Sequence, residues 1–469
     1  MQRVLNRKPA SYLYWVLAFF LLVVFLTGGS ARVDVQSLPV LRPLSVIMCA
    51  VALLTLRRDH LVRRKWLVAG FATVILLCVA HLIPLPPGIW QSLPGRTVLA
   101  DVDRIAGLGE LWRPLSITPM NGWHALASLA TPLAVLLLGM QLDKDDLHRL
   151  LQLLLGLASL SGLLGVLQVI GDSRGPLYLY RITNHGAAVG LFANRNHAAV
   201  LLACVFPLCA VFASIAPGTS DEQRVRQVGA MAACIVMVPL ILITGSRSGL
   251  AIGFLALIGG ALLYRKPVEG RAVRRGKTGI KFEAWQILSA VVLLAIALTT
   301  IVFSRAEALR RLLSQPLSDD LRVSYWPAGV EMVWRYFPAG SGIGSFVEAF
   351  QIGESLGSLR ESYANHMHND WLEIVATGGL PAAAILFVAI IAYLRVTWTL
   401  WRYRGREAGE VQLARLSSVL IAIVGLASVT DYPLRTPIWL ALFAVFCLWL
   451  TENALAPTRA TPSRAEAVP

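Results

Sequence analysis

The sequence predicts an all-α, polytopic integral membrane protein, and three observations predict it. The chain of 469 residues is 56% hydrophobic and only 15% charged, which is more apolar surface than a soluble fold of that length can bury. Apolar runs of the 17–25 residues needed to cross a bilayer recur along it, about twelve in all. Basic residues cluster between alternate runs, in RRDHLVRRK at 57–65, RKPVEGRAVRRGKTGIK at 265–281 and WRYRGR at 401–406. That alternation is the positive-inside pattern, so the net charge of +15 reflects orientation and not nucleic-acid binding.

Spans are expected near 12–28, 38–56, 66–83, 122–140, 149–170, 197–215, 226–243, 249–264, 285–303, 371–394, 415–430 and 436–452. Residues 1–303 then hold spans one to nine, 304–370 a large outer loop, 371–452 the last three spans, and 453–469 a disordered inner tail rich in Pro, Ala and Arg. The first span has no small-residue cleavage site placed after it and reads as an uncleaved anchor. All six cysteines lie in or at the edge of apolar runs without metal spacing, as packing thiols do.

With both ends inside, all six lysines fall on the inner side, whereas the outer basic residues are all arginine. Anion recognition by a planar fork of donors is one reason for that bias; a GC-rich coding preference is the other. The inner connections read as basic tethers, so function is expected on the outer face. In TGSRSG at 244–249, two apolar runs come so close together that Arg247 must sit at the membrane surface, where an unpaired charge is costly. GLFANRNH leads into the sixth span with Asn194, Arg195, Asn196 and His197; either asparagine suits an N-cap. The large loop mixes helical-period apolar residues with Arg305, Arg310, Arg311, Arg322 and Arg335, which predicts two or three amphipathic helices over the membrane surface. Its AGSGIGSF stretch lacks a preceding strand and a lysine, so it reads as well as a turn allowing close backbone approach as a phosphate cradle.

The loop closes with HMHNDWLE. Asp370 and Glu373 have capping-box spacing at the start of the tenth span. The positive end of that helix favours a neutral imidazole at His368, the state in which a histidine serves as general base. The trio His366, His368 and Asp370 has no fourth clustered ligand, and DVDR at 101–104 is an isolated Asp-x-Asp match, so no metal site and no cofactor are expected.

In this order, GLFANRNH, SRSG, DLRVSYW, AGSGIGSF and HNDWLE resemble the O-antigen ligase and polymerase family of bacterial polysaccharide assembly, over about residues 185 to 440. The resemblance implies a GT-C-like membrane glycosyltransferase of the bacterial inner membrane with a periplasmic active site. It would transfer a glycan, with inversion and without metal or nucleotide sugar, from undecaprenyl diphosphate to another lipid-linked repeat or to the lipid A core. It assigns catalysis to His368, Arg247 and Arg322 and a polar role at the last outer turn to Asp431, with Arg435 close by; Arg195, Asn194, Asn196, Asn369 and Asp370 are further candidates for substrate contact. The lipid bilayer, a chain-length regulator and a flippase are the partners it implies. Polymerisation is the first expectation, ligation to a terminal acceptor the second. A transporter is the alternative from another class, disfavoured by the crowding of polar residues at one face and the scarcity of ionisable residues at mid-span depth.

Overall fold

The computed structural model describes residues 9–215, 220–266, 321–354, 363–403 and 411–453. In chain order its helices are α1 (Tyr12–Thr27), α2 (Leu38–Thr55), α3 (Arg58–Arg63), α4 (Lys65–Ala80), α5 (Pro87–Trp90), α6 (Thr97–Ile105), α7 (Pro119–Ser128), α8 (Ala130–Gly139) and α9 (Lys144–Ile170). There follow α10 (Arg195–Ser214), α11 (Ser220–Ile243), α12 (Arg247–Leu263), α13 (Leu321–Tyr336), α14 (Phe346–Gly353), α15 (Asp370–Arg402), α16 (Gln412–Ala427), a 3-10 turn at Pro433–Arg435 and α17 (Pro437–Asn453). The strands among the described residues are the two-residue β1 (Pro84–Leu85) and β2 (Arg113–Pro114), paired antiparallel. Every expected span except 285–303, which lies outside the described residues, coincides with a helix. Among the described residues six segments are long and apolar enough to cross a membrane: α2, α7 with α8, α9, α10, α11 and α15. The apolar helices α1, α4, α12, α16 and α17 are shorter.

The core centres on α10, which packs against α9, α11, α12 and α16 and is buried nearly all round. Small residues allow that approach: a Cβ on Gly249 would lie 2.3 Å from Ala199 Cβ, and one on Gly260 3.1 Å from the Phe206 carbonyl.

At the end of the bundle expected to lie inside, two arginines hold helix carbonyls. Arg64 is buried and donates to Leu448 O at 2.7 Å and Thr451 Oγ1 at 2.8 Å. Arg415 donates to the carbonyls of Leu400 (2.9 Å from Nη2) and Tyr403 (2.6 Å). Arg415 complements the negative end of α15, where the last carbonyls lack intrahelical donors, and Arg64 sits against the last turns of α17. The basic stretch 267–281 and the tail from 454 onward lie outside the described residues.

At the other end α15 bends at Gly379 (φ 63°, ψ −157°), two residues before Pro381. Proline has no N–H to give the Thr377 carbonyl, and the AGSGIGSF loop supplies the missing donors. Ser341 N donates to Ala376 O at 3.1 Å, Gly342 N to Thr377 O at 2.8 Å, and Leu380 N turns to Pro338 O at 2.8 Å. This docking leaves no room for side chains: a Cβ on Gly342 would meet Ser116 Cα at 2.2 Å, and one on Gly340 the Thr377 carbonyl at 2.5 Å. Of the two readings of this loop, close backbone approach is the one its contacts match.

The helices α13 and α14 form a second small core on this end. Tyr325, Met332 and Tyr336 pack with Phe346, Phe350, Met367 and Ala376. Burying each large side chain is worth about 1.5–3 kcal/mol, enough together to hold the loop against α15. Residues 304–320, including Arg305, Arg310 and Arg311, lie outside the described residues.

Candidate active site

The connections expected on the outer face meet at this end of the bundle, joined by residues 28–37. Ala193 N donates to Gly29 O at 3.0 Å, Ile438 N to Gly28 O at 3.1 Å and Asp370 N to Ser428 O at 2.9 Å. Asn194 caps α10, its side chain accepting from Asn196 N at 2.9 Å. One residue into the helix, Asn196 donates from Nδ2 to Asp431 Oδ2 at 2.6 Å and accepts at Oδ1 from Ser246 Oγ at 2.7 Å. Ser246 in turn caps α12 by accepting from Gly249 N at 2.9 Å. Through Asn196 the cap of α12 is thus linked to the carboxylate that Asn194 also approaches.

Asp431 is 3% exposed. Tyr432 N donates to its Oδ1 at 2.9 Å, with Asn194 Nδ2 at 3.4 Å. Two histidines face the same oxygen: His368 Nδ1 at 3.4 Å and His197 Nε2 at 3.5 Å. His368 has φ 54°, a left-handed conformation that costs a non-glycine residue about 1–2 kcal/mol. It is held there from both sides. Met367 N donates to Glu373 Oε2 at 2.9 Å, and the Asn369 side chain caps α15 by accepting from Leu372 N at 3.1 Å. The Tyr432 ring packs among the three imidazoles, with centroids 4.5 Å from His366, 4.9 Å from His368 and 5.2 Å from His197.

The cap of α15 corrects the sequence expectation, because Asn369 and not Asp370 occupies that position. Asp370 and Glu373 are instead buried partners of Arg435, whose Nε donates to Asp370 Oδ1 at 2.9 Å and whose Nη2 lies 3.3 Å from Glu373 Oε1. His366 Nδ1 stands 3.0 Å from Glu373 Oε1. Burial opposes the charge on Arg435, but the facing Glu373 and Asp370 outweigh it and raise its pKa above the ordinary value. The trio His366, His368 and Asp370 therefore divides among three partners, Glu373, Asp431 and Arg435.

A pocket of about 250 Å³ opens beside Asp431, lined among others by Arg32, Asn184, Arg195, Asn365, His368 and Tyr432. That is just below the range of about 300–1,000 Å³ usual for small-molecule sites. Asn194 and Asn196 also line it. Arg247 is the first residue of α12, next to Ser246 but not on the pocket wall. Asn369, Asp370 and Arg435 support the wall from behind and do not line it. The backbone of Arg322 lies in α13, and its side chain is outside the described residues. Arg32, Asn184, Asn365 and Tyr432 are pocket residues that the sequence motifs did not single out. Arg32 carried a signal in the outer arginine bias; it holds Asp34 through Nε at 2.8 Å and reaches the Tyr363 hydroxyl at 3.0 Å. The DVDR acids point elsewhere, with Asp103 on Arg113 and Asp101 on Arg104.

A polar pocket with a histidine on its wall, a buried carboxylate behind it and guanidinium groups beside it can deprotonate a hydroxyl and receive an anion. No curated protein matches the chain. Residues 232–387 match the family model described as O-antigen ligase, a stretch holding the SRSG turn, the glycine-rich loop and His368. Together with several apolar helices fit for a multi-pass membrane protein, this match, over about a third of the chain, supports an assignment to the O-antigen ligase and polymerase family.

Proposed function

We propose that the chain polymerises lipid-linked oligosaccharide repeat units of an O-antigen or exopolysaccharide, taking glycan from undecaprenyl diphosphate at the periplasmic face of the inner membrane. The matched domain supports a ligase- or polymerase-type function and a glycosyltransferase-like enzyme. The observation that carries the finer reading is the pairing of pocket-lining His368 with buried Asp431. His368 Nδ1 lies 3.4 Å from Asp431 Oδ1 without a formed hydrogen bond; closing that contact when substrate binds would orient the ring and leave the other nitrogen to take the proton of an acceptor hydroxyl. The freed oxygen attacks the anomeric carbon from the face opposite the diphosphate. The bond from that carbon to the phosphate oxygen breaks, its electron pair leaves with undecaprenyl diphosphate, and the configuration inverts. Arg195 and Arg32 line the pocket and, with Arg247 and Arg322, are the groups to stabilise the departing charge where water is scarce. No metal enters this sequence of steps.

Ligation to lipid A core is the second reading, favoured by the description of the matched family. Purified protein reconstituted with a lipid-diphosphate-linked oligosaccharide distinguishes the two. A ladder of longer lipid-linked glycans without added acceptor supports polymerisation, whereas product only with lipid A core supports ligation. Undiminished transfer in EDTA tests the metal-free route. Absence of any product with native-pathway donors would overturn both readings and return transport to consideration.

A further inference from the structure

In the connection between α4 and α7 two charged residues turn toward the protein. Arg96 is buried and donates to Leu115 O at 2.5 Å and Gly340 O at 3.1 Å. Asp103 of α6 is buried against Arg113 through bonds of 2.5 and 2.6 Å. Several apolar residues of the same connection face away. On α6, Val98 (52% exposed), Val102 (57%) and Ile105 (84%) form one stripe at i, i+4 and i+7. Beyond the helix, Leu108, Leu111 and Trp112 (64%) continue the exposed apolar surface. In water this arrangement would be unfavourable.

The stripe does not stand alone. It continues along the chain into the lipid-facing helices, through exposed Leu76 of α4, Ile83 and Ile89 on one side, and Met120 and Trp123 of α7 on the other. Exposed Asp101 and Arg104 pair at the flank of α6, as the polar edge of an in-plane helix does, and Trp112 is of the residue type that favours the headgroup level.

We infer that residues 84–118 form a monotopic anchor whose α6 stripe and Trp112 enter the acyl-chain boundary of the leaflet on the site's side of the membrane. The partner is the lipid itself. Because Arg96 also holds Gly340 and Ile117 N donates to Ser341 O at 3.1 Å, the anchor ties the glycine-rich loop to the level of the bilayer surface. This inference rests on the membrane fold and is independent of which glycan the site transfers.

The test uses full-length protein in phosphatidylcholine nanodiscs, labelled with a polarity-sensitive fluorophore at Val102→Cys, Ile105→Cys or, as the flank control, Arg104→Cys. Wild type gives the labelling blank for the native cysteines. The expected result is quenching by nitroxide-bearing phospholipid at positions 102 and 105, with iodide quenching there roughly threefold or more below that at position 104. Equal iodide quenching at all three positions would overturn the inference. So would shielding from both quenchers, which would mark cover by protein. Trp112→Cys, outside the helix, serves as a further lipid-facing position should a helix variant fail to fold, with the same two outcomes.

Discussion

Asn196 and Asp431 are joined by a 2.6 Å hydrogen bond across 235 residues of sequence. The bond ties the start of α10 to the turn before α17, and through Ser246 it ties both to the start of α12. Asp431→Asn should keep the size and most of the packing but remove the charge that faces His368 and His197. Transfer should fall by about 10²-fold or more, in the range typical of general-base catalysis, while thermal stability in detergent changes little by comparison. Retained turnover in this variant would remove Asp431 from the proposed chemistry.

His368 combines a strained backbone with the proposed base, and two substitutions separate them. His368→Ala keeps the left-handed penalty, whereas His368→Gly relieves it. Both should lose about 10²–10⁴-fold in transfer rate, but the glycine variant should melt at the higher temperature of the two. Near wild-type transfer by either would exclude the base role. Arg247→Lys, compared in the same assay, should fail if bidentate geometry on the diphosphate matters.

Much of the fold was legible locally and most of the site was not. Hydropathy placed the long apolar helices, since an apolar run needs no partner to be recognised, and residue type and position narrowed the cap of α10 to Asn194 or Asn196, of which Asn194 takes it. The family resemblance brought Asp431 into view, but not the oxygen it shares between His368 and His197, because that depends on which loops meet. Arg435, expected to hold phosphate, is engaged by Asp370 and Glu373, an arrangement no spacing rule reveals. The glycines at 340, 342 and 344 were visible as unusual. Their reasons lie in other elements: Gly340 backs onto the Thr377 carbonyl, Gly342 onto Ser116 and Gly344 onto Asn121.

The Arg435, Asp370 and Glu373 cluster predicts a non-additive stability series. Removing the guanidinium alone, as in Arg435→Met, leaves two buried carboxylates uncompensated and should cost about 3–5 kcal/mol. Neutralising all three, with Asp370→Asn and Glu373→Gln added, should recover most of that loss. Thermal or denaturant melts in one detergent measure both. A triple variant no more stable than Arg435→Met would show that the cluster does more than balance its own charge.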